Sequence, residues 1–321
     1  MTRLTVSEIH AGTRLEKAPF LLAAMNRATD RNGDVYLKLT LRDKSGDIEA
    51  RYWRVPLEVI DRLSEGSGVA VSGNVSEYRG SSQVIISDIQ TCELENIDEF
   101  LPVARRPHQE MVDNLQHAIS SIKNPFLREL LKEVLGDQAF LDRFFVAPAA
   151  KTYHHACVGG LMEHSLDVMK HVDLIARRNP EIDRDLATTV AILHDIGKVD
   201  SYELKGTFDL TDQGKLLGHV YIGAALVDRA ISHIEGFPDE LRNRVLHAIL
   251  SHHGELEKGA PVTPRTPEAI AVHHADHLDA DVRGWIDHVQ REQLNGVAWT
   301  SYSNMHDGEL YVGYKQDRED N

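Results

Sequence analysis

Hydrophobic and polar positions alternate with a period of two through much of residues 1–92. In DVYLKLTLRD, Val35, Leu37, Leu39 and Leu41 alternate with Tyr36, Lys38, Thr40 and Arg42. In DIEARYWR, Ile48, Ala50 and Tyr52 alternate with Glu49, Arg51 and Trp53. Such alternation buries one face of a strand and leaves the other open. PFLLAAMNRATD, GVAVSGNVSEY and SQVIISDIQ are also strand-like, and RNGD, DKSGD, EGSG and YRGSS supply turn chemistry between the segments. PLEVIDRL, between the third and fourth strands, forms one short helix.

Five strands with a helix after the third match an OB-type β-barrel, whose ligand face lies on strands two and three and the adjoining loops. The open face carries Tyr36, Lys38, Arg51 and Trp53, with Tyr78 and Arg79 in the last hairpin. Aromatics interleaved with cations are what base stacking and phosphate neutralisation require. These six are the candidate nucleic-acid contacts.

After residues 93–107 (ELENIDEFLPVARRP), read as a linker, the periodicity turns helical. The expected fold is α+β and multidomain. An OB-fold nucleic-acid-binding domain over 1–92 is followed by an all-α bundle over 108–290, and a turn-rich C-terminal extension covers 291–321.

Composition narrows the chemistry. Cys92 and Cys157 lie far apart, a reduced pattern that excludes a disulfide framework and a thiolate zinc cage. The N-terminus has no apolar signal segment and no apolar run approaches the ~18 residues of a membrane span. A cytoplasmic location without membrane partners is expected. Residues 1–92 carry 12 Lys/Arg against 12 Asp/Glu, and 93–321 carry 23 against 38, so the net charge of −15 lies wholly in the second part. Of 18 histidines, 14 fall between His154 and His288. Imidazole concentrated in this way points to metal or acid–base chemistry.

Five helical segments place His or Asp on otherwise apolar stripes. His164 lies with Leu161 and Val168. The pair His194–Asp195 ends an apolar helix running through Val190 and Leu193. His219 shares a face with Ile222, Gly223 and Leu226. His252 and His253 follow Ile249, and Asp276 follows Val272 and precedes Asp279. Buried groups of this kind need partners, and a shared cation can supply them. A carboxylate can bridge two metals ~3.5–4 Å apart. Nitrogen and oxygen ligands without thiolate suit Mn, Fe, Mg, Zn or Co in a catalytic site. His171, His233, His247, His273, His274, His277 and His288 read as surface or supporting residues, and Glu163 as an exposed helix position.

EHSLDV, ILHDIGK, GHVYIG, SHHGE and HADHLDA, preceded by YHHACVGGLMEH, resemble the HD-domain metal-dependent phosphohydrolases. Within them the chain is most similar to the YhaM-type 3′→5′ exoribonucleases, which join an OB domain to an HD domain. The resemblance covers nearly the whole chain. It implies one metal position formed by His164, His194, Asp195 and Asp276. Asp195 would bridge to a second position with His219 and His252, and His253 is a substitute or an addition. Lys198 would face the substrate phosphate, His154 and His155 would lie near the mouth and contact it, and Asp279 would orient a ligand histidine. The implied cofactors are two divalent ions, Mn²⁺ first. The implied substrate is single-stranded RNA, with single-stranded DNA as a second class, cut to mononucleotides by a metal-activated hydroxide. Two other readings stand beside this one. The first is an HD phosphohydrolase or phosphodiesterase of small or cyclic nucleotides, for which a barrel is unnecessary. The second is a non-enzymatic nucleic-acid-binding protein with a structural metal.

Overall fold

A computed structural model describes residues 4–30, 33–78, 81–94, 99–151, 154–204, 208–291 and 298–313. The chain forms two compact units, Met1–Val103 with Leu204–Thr207 and His288–Asn321, and Ala104–Glu203 with Phe208–Asp287.

In the first unit, β1 (Arg14–Thr29), β2 (Val35–Asp43), β3 (Gly46–Trp53), β4 (Gly68–Tyr78) and β5 (Ser81–Thr91) close a barrel in the order β1-β2-β3-β5-β4. The single-turn helix α1 (Leu57–Ile60) lies between β3 and β4 in the chain. All pairs are antiparallel except β3 with β5, which are parallel. The alternating residues point as their pattern requires. Leu37, Leu39, Leu41, Ile48 and Ala50 fill the interior with Val69, Val71 and Val84. β1 begins upstream of the apolar PFLL segment. Lys17 has a left-handed φ of 47° and the pairing register with β4 shifts between Leu15 and Ala18, so a bulge breaks the alternation there. The bent strand pairs with β4 along one half and β2 along the other.

The second unit is helical: α2 (His108–Ser121), α3 (Pro125–Leu135), α4 (Gln138–Val146), α5 (Gly160–Arg178), α6 (Arg184–Leu193), α7 (Lys198–Ser201), α8 (Asp212–Leu217), α9 (His219–Ser232), α10 (Asp239–Ser251) and α11 (Pro267–Arg291). Two short strands, β6 (Tyr202–Leu204) and β7 (Phe208–Leu210), follow α7. Side-chain caps start several of these helices. Asn124 accepts from the amides of Phe126 and Leu127, and Asp183 accepts from that of Leu186. Every residue of α6 from Leu186 to Leu193 is buried. This helix is the axis of the unit, and its end delivers His194 and Asp195 into the interior. The chain after α11 forms a hairpin of β8 (Trp299–Ser303) and β9 (Gly308–Tyr311). Among the described residues no helix is long and apolar enough to cross a membrane.

Candidate metal centre

The centre is built where helices end or touch through glycine. His194 caps α6 and Asp195 follows it. Gly197 then packs so closely on the start of α9 that a Cβ would meet the His219 carbonyl at 2.1 Å and the Gly223 amide nitrogen at 2.4 Å. This contact brings His219 beside Asp195. The left-handed Gly159 (φ 78°) opens α5, and Gly160 lies under the His155 carbonyl, where a Cβ would sit 2.0 Å from the oxygen.

The imidazoles are aimed by their second nitrogens. His194 Nδ1 is 2.8 Å from the Ala191 carbonyl, His252 Nδ1 is 2.7 Å from that of Ile249, and His253 Nδ1 is 2.9 Å from that of Lys258. A carbonyl only accepts, so each proton sits on Nδ1 and each Nε2 is left for the interior. His164 Nδ1 faces Asp279 Oδ2 at 2.7 Å.

The Nε2 atoms converge on the two oxygens of Asp195. On one side, His164 Nε2 lies 3.2 Å from His194 Nε2 and 3.1 Å from Asp276 Oδ1, and Asp195 Oδ2 is 3.5 and 3.4 Å from the two imidazoles. On the other, Asp195 Oδ1 lies 3.3 Å from His219 Nε2 and 3.5 Å from His252 Nε2. The His253 ring packs 4.3 Å from that of His252 and 5.1 Å from that of His219, and these three can share one ion. His252 and His253 thus both reach the centre.

The charge balance tests whether a cation fits. Asp195 Oδ1, His219 Nε2 and His252 Nε2 are buried, and none has a hydrogen-bond partner among the described residues. Three acceptor-capable atoms without partners around one point are what a cation would satisfy. Burial opposes ionisation of Asp195 and Asp276. Lys198 and His194 hold the first well below the usual carboxylate range, and His164 and His194 do the same for the second. Burial also disfavours a charged His194, yet Asp195 and Asp276 push it up to about 10, so a second proton competes with a cation for its Nε2. Burial lowers His219, with Lys198 and His252 adding to the effect, and lowers His253 to about 4 with help from His252 and His219. The residues fit a divalent ion in donor type, geometry and charge.

Other candidates are placed differently. His155 was expected near the phosphate, but it is 1% exposed and both its nitrogens are taken, by Glu163 (3.2 Å) and Asp279 (3.0 Å). It cannot reach a substrate. His154 stays beside the centre. Its ring lies 5.6 Å from that of His164, its Nδ1 has no partner among the described residues, and burial with nearby His164 and Lys198 lowers it to about 3. Lys198 is buried and its Nζ lies 2.5 Å from Asp195 Oδ2, so it neutralises that carboxylate instead of facing an open position. On the barrel, Tyr36 pairs across the strands with Trp53, and Lys38 with Arg51. The Tyr36 and Trp53 rings stack at 4.3 Å, Arg51 lies over Tyr36 at 5.7 Å, and Trp53 and Tyr78 are about half exposed. Arg79 lies outside the described residues.

A family model for the HD domain matches residues 161–281, a span holding every candidate metal ligand named above. A model described as an OB-fold nucleic acid binding domain matches residues 21–91. The chain is 34% identical over 264 residues to the 3′-5′ exoribonuclease YhaM of Bacillus velezensis, covering 81% of this chain and 83% of that one. It is 34% identical over 265 residues to the YhaM of Bacillus subtilis, with 81% and 83% coverage, and 33% identical over 265 to that of a Geobacillus, with 81% and 80%. The chain belongs to the YhaM exoribonuclease family. Among solved structures it is similar to the second OB-fold domain of replication protein A from Methanococcus maripaludis, over 29% of this chain and 97% of that one, at 19% identity and a TM-score of 0.24.

In this YhaM-family chain, Glu163 departs from its expected exposed position, and His273 takes the supporting one of its two expected roles. Glu163 is buried, not exposed, because the opening turns of α5 are covered on all sides from Gly160 to Leu166. His273 Nδ1 lies 2.7 Å from the His252 carbonyl and braces the His252–His253 turn. The nearby Gly254 (φ 79°) leaves room for its ring, which a Cβ would meet at 2.2 Å.

Proposed function

We propose that this chain is a metal-dependent 3′→5′ exoribonuclease that binds single-stranded RNA on its barrel and hydrolyses it in its helical unit. The observation that carries the reading is Asp195, whose two oxygens each face a separate group of buried ligands. His164, His194, Asp195 and Asp276 would hold one ion. Asp195, His219, His252 and His253 would hold another. When bound there, Mn²⁺ or another divalent ion would supply a water of lowered pKa and polarisation of the scissile phosphate.

The protein's own residues do the rest. Asp195 holds the two positions at a fixed separation. Lys198, 2.5 Å from Asp195 Oδ2, would place positive charge beside the phosphate. His154 presents its unpartnered nitrogen at the same place. Tyr36, Trp53 and Tyr78 offer rings for stacking, and Lys38, Arg51 and Arg79 offer charge to the backbone. Neither stacking nor phosphate contact reads sequence, as a general degradative enzyme requires.

The test is incubation with 3′- and 5′-labelled single-stranded RNA, with Mn²⁺ or with chelator. Stepwise shortening from the 3′ end that depends on the metal is expected, and single-stranded DNA run alongside measures sugar preference. Hydrolysis of small nucleotides without RNA shortening overturns the reading.

A further inference from the structure

Beyond the groups that face the ions, the helical unit buries a second charged assembly that the reaction does not use. Glu163 and His164 are neighbours on α5 and point in different directions. From Glu163 Oε2 the contacts run to His155 Nδ1 at 3.2 Å. From His155 Nε2 they run to Asp279 Oδ2 at 3.0 Å, and from that same oxygen to His164 Nδ1 at 2.7 Å. The α5 backbone closes the ring. Glu163 is itself held, since the Arg106 amide donates to its other oxygen at 2.9 Å and the Arg283 guanidinium lies 3.5 Å away.

His155, His164 and Asp279 lie close enough together to hold an ion, but their hydrogen bonds already engage the facing atoms. One oxygen of Asp279 accepts from both imidazoles, and the separations are those of hydrogen bonds. Stability does not account for this ring, because apolar groups of similar volume generally serve a buried junction at least as well as paired charges. The backbone carries a further cost. His155 has a left-handed φ of 50°, uncommon for a residue with a side chain. Its carbonyl is clamped by the amides of Ala149 (3.2 Å) and Cys157 (2.9 Å). A strained residue carrying a buried imidazole between two carboxylates fixes the direction of whatever those carboxylates hold. What Asp279 holds is His164.

We propose that Glu163 and His155 are positioning residues. Acting through Asp279, they keep the His164 proton on Nδ1 and aim Nε2 at the first metal position. They set the affinity of that position without touching the ion or the RNA. The inference rests on the metal-centre reading above.

Titration of the metal-free full-length protein with Mn²⁺ alone, following the free-ion electron paramagnetic resonance signal, tests it. His155→Asn keeps a side chain that tolerates left-handed backbone. It should weaken one of two bound ions by about tenfold, the low end of what outer partners contribute to metal affinity. The other ion should hold within about twofold, because Glu163, His155 and Asp279 touch none of its ligands. The same deficit should persist in a His219→Ala background, where the first position is left to bind. Glu163→Gln keeps the shape and the Arg106 contact, and should show a smaller loss at the same position. It carries the test if His155→Asn does not fold. The Mn²⁺ concentration for half-maximal RNA hydrolysis should rise in step, with turnover at saturating Mn²⁺ little changed. If the wild type binds two ions and the variants bind both as tightly, or weaken both alike, the inference fails and the centre stands. If the wild type takes up no Mn²⁺, both fail.

Discussion

The two units put their polar chemistry on opposite sides of their cores. In the barrel, the buried polar side chains named among the described residues are Asp43 and Gln83. Asp43 ties the N-terminal segment down by accepting from Val6 and Ser45. The candidate RNA contacts, Tyr36, Lys38, Arg51 and Trp53, alternate with the residues that fill the interior. In the helical unit the order is reversed. His164, His194, Asp195, Lys198 and His252 are buried, and helix caps, carbonyls and carboxylates hold them. The difference fits the proposed division of work. A surface that stacks successive bases must accept any of them, so it can be open and wet. A centre that handles charge at one phosphate gains from a low dielectric and fixed dipoles, which a buried site supplies.

The sharpest way to break this comparison is Asp195→Ala. It removes the carboxylate shared by both ligand groups. RNA turnover should fall by more than the ~100-fold upper range for loss of an outer partner, and binding of labelled single-stranded RNA should survive on the untouched barrel. Parallel loss of binding in a filter assay would mean that the two units do not divide the work. The converse change is Trp53→Ala. Loss of one stacking platform should weaken RNA binding by about tenfold, within the range for a single base–aromatic contact. It should raise KM for RNA and leave turnover at saturation unchanged.

Gly197→Ala probes how the ligands are brought together. Its Cβ would strike the His219 carbonyl, so it should destabilise the helical unit by about 1–3 kcal/mol. Thermal unfolding should show a lowered midpoint for that unit alone.

The smallest expected effect is on acid stability. Burial pushes the Glu163 carboxyl up, but hydrogen bonds from His155 and the Arg106 amide, with Arg283 nearby, hold it at about 2 against an ordinary 4.5. A carboxyl whose folded value is depressed stabilises the fold fully above the ordinary value, and that stability is lost as pH falls toward the folded one. Between pH 4.5 and 2, Glu163→Gln should therefore show a shallower decline in denaturation midpoint than the wild type. Identical slopes would remove Glu163 from the acid transition.

The barrel was legible because strand alternation is local. Each of Leu37, Leu39 and Leu41 declares its face two residues at a time. The start of β1 was not legible, because the bulge at Lys17 interrupts that period. The ligand-bearing stripes were legible for a similar reason, since a His or Asp among apolar residues at helical spacing must be buried and must find a partner. Glu163 escaped notice because a helix covered on every side has no polar face to read. His155 was misplaced because its direction depends on a left-handed turn that HHACVGG does not announce.

The sequence alone therefore determined the barrel, the helical bundle and the residue types that would meet in its interior, since those follow from periodicity and from the cost of burying charge. Only the tertiary structure decided which atoms meet. The Gly197–Gly223 contact sets His219 against Asp195, the Nδ1 acceptors decide which nitrogen each imidazole offers, and Asp279, more than a hundred residues further along the chain, ties His155 to His164. These are long-range contacts of a packed core, and no local pattern encodes them.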